Sequence, residues 1–147
     1  MAVHEFLNPA GMSPPVGFSH VAVAAPGRPV FVAGQTAHQA DGTLAGSTLA
    51  EQFAAAAANV AAALDAAGAT PADLVQLHIF TTDVDGYRTQ SKEIGAAYRA
   101  VFGAHYPPMA LFGITRLYDA AALVELVATA VIPDLRTDIT SSPLEIA

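Results

Sequence analysis

The chain has 147 residues, enough for one domain with a core of its own, and a net charge of −7 with only six lysines and arginines. That balance lacks the basic footprint of a nucleic-acid binder. With no cysteine, disulfides, thiolate nucleophiles and cysteine metal sites are all excluded. Apolar residues make up 53% of the chain and charged residues 13%, a composition that favours further burial between subunits.

The N-terminus, Met1-Ala-Val-His-Glu-Phe6, has neither the basic start nor the apolar core of a secretory signal. The longest apolar run, Phe53 to Ala69, is interrupted by Asn59 and Asp65, so no membrane span is expected and the chain reads as cytoplasmic. His4 to Pro15 predicts a short strand and then loop. Phe18 to Ala24 alternates, meets the turn signal Pro26-Gly27, and predicts a hairpin with Pro29 to Ala33. At Gly34-Gln35 a glycine allows close backbone approach.

Thr48-Leu-Ala-Glu51 has the form of a capping box. It opens a helix with Leu49, Phe53, Val60 and Leu64 near one stripe, ending at Gly68. Thr70-Pro-Ala-Asp73 predicts a second, shorter start, and Leu74 to Thr82 a strand. Asp83 or Asp85 caps another helix running to Phe102-Gly103, with Ile94, Tyr98 and Phe102 inward. The prolines of Tyr106-Pro-Pro then introduce an apolar strand through Met109 and Leu111 to Leu117. The final strand, Leu123 to Ile132, holds a single acid, Glu125. Residues 1–133 read as one domain and 134–147 as a polar, proline-punctuated tail, packed loosely or disordered.

Two helices can cover one face of such a sheet. Because Leu74–Phe80 and Leu123–Ile132 are apolar on both faces, the other face should meet another subunit. No His-x-His or i, i+4 histidine pair stands with an acid to complete a ligand set, so no metal is expected. No phosphate-binding glycine loop or nucleotide fingerprint appears, and no cofactor is implied.

Several pieces together resemble the RidA/YjgF family over residues 15 to 133. They are Val30-Phe-Val-Ala-Gly-Gln35, the helix with Gln52 and Asn59 ending in Ala66-Ala-Gly68, Ala72-Asp-Leu-Val75, Phe80-Thr-Thr-Asp83, Ala97-Tyr-Arg-Ala-Val-Phe-Gly103, and Glu125 with Ala130-Val131. The resemblance implies an α+β, chorismate-mutase-like mixed sheet backed by two helices on one face. It also implies a homotrimer with small-molecule clefts between subunits, and hydrolysis of 2-imino and enamine acids to 2-keto acids and ammonia.

The family's site carries over in part. Met109 stands where the family's carboxylate-gripping arginine belongs, Phe18 at its tyrosine, His20 at a glutamine, Ala33 at a serine and Gly95 at an asparagine. Gly34 and Gln35 remain, and Glu125 matches the acid that holds the attacking water. Methionine has neither charge nor donors, and charge-assisted hydrogen bonds contribute about 1.5–3 kcal/mol each. A small 2-imino acid should therefore bind weakly.

The enzyme reading puts Glu125 in a cleft walled by Phe18, Ala33, Met109 and Leu111, where it orients water or shuttles a proton on an imine, enamine or related electrophile. Backbone amides near Gly34 and Leu111 would steady developing charge, and His20 is the candidate second acid or base. The more apolar site implies a neutral or largely apolar substrate. As alternatives, Glu125 pairs with Arg116 as a structural group, or the trimer is a binding module without catalysis. The ribonuclease activity sometimes attributed to the family fits poorly with the acidic charge and the missing arginine.

Overall fold

Helix α1 (Leu49–Ala66) forms where the capping box predicts it, in a computed structural model that describes residues 3–134. The Glu51 amide donates to Thr48 Oγ1 at 3.2 Å, and Glu51 Oε2 accepts from the Thr48 amide at 3.2 Å. Gly68 closes the helix at a φ of +78°, where a side chain would be strained. Leu49, Phe53, Ala56, Ala57, Val60 and Leu64 are buried, a stripe at helical spacing that faces the sheet. Each large side chain fully buried there contributes about 1.5–3 kcal/mol.

The chain folds as β1 (Glu5–Leu7), β2 (Val21–Val23), β3 (Gly27–Gln35), α1, a 3-10 turn at Pro71–Asp73, β4 (Leu74–Thr81), α2 (Val84–Thr89), α3 (Ser91–Phe102), β5 (Met109–Gly113) and β6 (Val124–Pro133). The α+β class and the mixed sheet agree with the expectation from sequence. The main sheet has the order β3-β6-β4-β5, with β4 and β5 parallel and the other pairs antiparallel.

Three local expectations are corrected. The hairpin of Phe18–Ala24 with Pro29–Ala33 does not form: β2 pairs with β1 in a separate ribbon, and β3 pairs with β6. Pro26 and Pro29 supply no amide donors, and a proline inside a strand is tolerated at a sheet edge, where β3 lies. Next, the single helix over 83–102 is divided at Gln90, so three α-helical elements stand among the described residues. Asp83 caps the first piece through the Gly86 amide at 2.8 Å, and Gln90 Oε1 accepts the Ala50 amide at 3.0 Å, satisfying an orphan donor in the first turn of α1. Finally, the strand expected from Tyr106 to Leu117 is short, and β4 separates it from β6, so Arg116 has no place beside Glu125.

In β6, Val124, Leu126, Ala128, Ala130 and Ile132 are buried beneath the helices. The alternate residues face the other way, and no helix of the described residues covers that face. There Phe80 stacks on Phe112 at 5.2 Å, His78 meets both edge-on, and Phe31 is 78% exposed. Among the described residues no helix is long and apolar enough to cross a membrane. The tail expected over 134–147 lies, beyond Asp134, outside the described residues.

Candidate functional site

Glu125 projects from β6 onto the helix-free face, paired across the ladder with Phe80. On its other side β3 carries a register shift between Val32 and Gln35, so Ala33 and Gly34 together stand against Val127. Gln35 Nε2 donates to Ala33 O at 3.1 Å. The shift brings the Gly34 backbone onto the Glu125 side chain so closely that a Cβ at Gly34 would overlap the carboxylate. No ion pair or hydrogen bond from the described residues fixes the Glu125 carboxylate, which is half-buried. A partly shielded acid against bare backbone can accept a proton from a bound water.

Met109 and Leu111 lie on the opposite face. Their partners in the parallel ladder are Leu77 and Ile79, which are buried beneath the helices. A single chain therefore does not bring Met109, Leu111 and Glu125 into one pocket. Met109 instead lines a groove of about 500 Å³ between the β5 edge and α2–α3, within the range of small-molecule sites. Its walls include Phe53, Ile79, Ile94 and the three tyrosines Tyr87, Tyr98 and Tyr106, with Val16 and Gly17 at the rim. Gly95 lines it as well, and Leu111 is 39% exposed beyond it.

Tyr98 stacks on Tyr106 with ring centroids 5.4 Å apart and donates its hydroxyl to His105 O. Burial pushes the Tyr87 phenol up to about 12. Burial also raises Tyr98, with Tyr106 and Tyr87 alongside adding to the effect. Both phenols stay neutral at physiological pH.

The sequence singled out neither these tyrosines nor Arg99 as site residues. Arg99 is the one charged side chain lining the groove. Its Nη1 lies 3.3 Å from where a Cβ on Gly95 would project. The signal was present as Gly95-x-x-x-Arg99, an i, i+4 pair in which the guanidinium can lie over a residue without a side chain.

Phe18 and His20 sit in the bends before β2, not on a strand, though their rings do meet edge to face at 5.2 Å. His20 Nε2 bonds Ser13 O at 2.9 Å, and the residue borders a small hollow beside Gln76 and Thr129. Gln76 pairs with Thr129 and Phe80 with Glu125. At strand rise that places His20 roughly 13 Å along the sheet from Glu125. The other histidines of the loops act as clamps: His4 on Val131 O and the Ala25 amide, His105 on Leu74 O, and His38 between Thr36 and Asp119. No cluster of three or more metal-ligating side chains occurs among the described residues.

Gln52 and Asn59 hold the loops that frame β3 and β6. Buried Gln52 donates to Ala121 O at 3.1 Å and accepts the Leu123 amide at 2.8 Å, while Asn59 donates to Thr36 O and His38 O at 2.9 Å each.

The family model described as Endoribonuclease L-PSP matches residues 10–132. YyfB from Yersinia pestis, of the conserved Rid protein family, is 33% identical; the match covers 90% of this chain and all of that one, with a TM-score of 0.81. Rv2704 from Mycobacterium tuberculosis, of the YjgF/YER057c/UK114 family, is 28% identical over 88% of this chain and 99% of its own, with a TM-score of 0.59. RidA from an Antarctic Psychrobacter shares the fold at 20% identity, over 82% of this chain and 92% of its own, with a TM-score of 0.63. No curated protein sequence matches the chain significantly. The 123-residue span of the family match, and the 33% identity and common fold with YyfB over 90% of the chain, make this chain a member of the Rid (YjgF/YER057c/UK114) family.

Proposed function

We propose that the protein is a Rid-type hydrolase that deaminates an imine or enamine in clefts between the subunits of a homotrimer. The observation that carries this reading is the Glu125 carboxylate lodged against the side-chain-free backbone of Gly34. The second half of the site is the groove with Met109 and Gly95 on the other side of the sheet. One subunit cannot join the two halves, so the reading requires a neighbour to present its groove to the Glu125 face.

In the reaction, Glu125 accepts a proton from water as the water oxygen bonds to the iminium carbon, giving a carbinolamine. The carboxyl returns that proton to the amine nitrogen. The carbon–nitrogen bond then breaks with its electron pair leaving on nitrogen, and the hydroxyl loses its proton to the carboxylate. The carboxyl passes it to the departing ammonia, so that a ketone and ammonium leave and Glu125 is again a carboxylate. Backbone amides near Gly34 and Leu111 steady the charge that develops on the way. The reading gives the proton relay to Glu125 alone, since His20 is distant within the chain and held by Ser13.

Met109 offers the substrate an apolar contact and no charge, so small 2-imino acids are poor substrates on this reading, and bulkier imines are better ones. The test is turnover of freshly generated 2-imino acids of graded size by wild type and Glu125→Gln. Hydrolysis that rises with substrate bulk and falls at least about hundredfold in the variant is expected. Equal rates for wild type and variant would remove the role of Glu125. Binding of imines or ketones without any turnover would favour a trimer that only captures ligands.

A further inference from the structure

The groove is electrostatically unlike the rest of the molecule. The chain as a whole carries a charge of −7, yet among the residues lining the groove there is one cation, Arg99, and no carboxylate. Ion pairs among the described residues join His38 to Asp119 and Arg88 to Asp85, and Arg99 takes part in neither. Its guanidinium is laid across Gly95, 3.3 Å from the position a Cβ would take there, which directs it along α3 toward the groove. The floor is aromatic and flat, with Tyr98 and Tyr106 stacked nearly parallel at an interplanar angle of 10°.

We propose that Arg99 is the anion-binding residue of this groove, and that the substrate is a carboxylate carrying a planar apolar body, such as an aromatic 2-imino or 2-oxo acid. This deepens the hydrolase reading and rests on it for the identity of the reacting group. Arginine supplies a planar fork of donors that matches a carboxylate two-point, and it remains charged at every working pH. The tyrosines and Met109 supply a slot for a ring, and the neutral phenols add no repulsion to an anion. The guanidinium stands on α3 and not on β5. A carboxylate bound there therefore lies at the helix side of the groove, and only a ligand longer than a two- or three-carbon acid spans from it to the apolar floor. The neutral substrate expected from Met109 alone is replaced by an anionic one.

The experiment is a binding titration that needs no turnover. Phenylpyruvate, pyruvate and the uncharged phenylacetamide are titrated by calorimetry or tyrosine fluorescence against wild type, Arg99→Ala, Arg99→Lys and Glu125→Gln. Phenylpyruvate should bind Arg99→Ala tenfold to a hundredfold more weakly than wild type, about the value of a charge-assisted bond, and Glu125→Gln should still depend on Arg99 for binding. Arg99→Lys should restore part of the affinity, and pyruvate should bind weakly throughout. Arg99 is solvent-exposed, so its variants should melt like wild type. Equal affinity for the acid and the amide, or an unchanged constant in Arg99→Ala, overturns the proposal. Arg99-dependent binding without Glu125-dependent hydrolysis would overturn the reaction and leave the anion site standing. Hydrolysis without preference for the anion would do the reverse.

Discussion

Two glycines shape the candidate site by what they leave out. Gly34 makes room for the Glu125 carboxylate, and Gly95 makes room for the Arg99 guanidinium. The consequences of filling them can be separated. In Gly34→Ala the new methyl overlaps the far end of a flexible side chain, which can swing away. Stability should change by less than about 1 kcal/mol, in line with substitutions outside the core. The displaced carboxylate, however, should lower turnover roughly hundredfold, the scale of an ångström-level misplacement. Melting curves and initial rates on the same samples check this, and an unchanged rate would mean the contact is irrelevant to chemistry. Glu125 was legible in the sequence because an acid stands alone in an apolar strand. Arg99 was not, because an exposed arginine on a helix is ordinary and its direction depends on the missing side chain one turn earlier.

Local signals governed the helices, and long-range pairing governed the strands. Thr48 and Glu51 cap α1 as their spacing predicts, and Thr48→Ala should cost about 1 kcal/mol, or roughly 2–4 °C in melting temperature for a chain of this size. The amides of Ser47 and Thr48 hold the Glu51 carboxyl below its usual value of 4.5. A carboxylate with a lowered folded-state value stabilises fully above the unfolded value and loses that contribution as pH falls through the folded one. The melting temperature should therefore drop below about pH 4.5, and less steeply in Glu51→Gln; parallel acid limbs for the two proteins would contradict the cap's role. The strands were harder to place. Their existence followed from alternation, but the insertion of β6 between β3 and β4 joins segments far apart in the chain, and nothing local names a strand's partner. For the same reason nothing local shows that, within one chain, Met109 and Leu111 stand on the opposite face of the sheet from Glu125.

At the scale of the molecule, the sheet face that no described helix covers carries exposed apolar side chains. Phe80, Phe112 and Phe31 present rings there that a monomer leaves in water. We expect wild type to self-associate, as the proposed trimer requires. Phe80→Glu sets a second carboxylate directly across the ladder from Glu125, and like charges facing each other repel. Light scattering at micromolar concentration should report a larger species for wild type and a monomer for the variant. A monomeric wild type would contradict the interface and with it the joined site.

The strand order also dictates a timetable. β6 occupies an interior position in the main sheet, paired on both edges, yet it is the last of the sheet's strands to leave the ribosome. Until residues 124–133 emerge, β3 and β4 have no common partner and the buried face of α1 has half a floor. The nascent chain must hold that alanine- and leucine-rich face uncovered until residues 124–133 emerge, and the four-stranded sheet closes only then. A ribosome stalled shortly before Val124 would thus carry a chain in which β4 can pair only with β5 and β3 has no partner in the main sheet, leaving the apolar face of α1 open to aggregation or a chaperone.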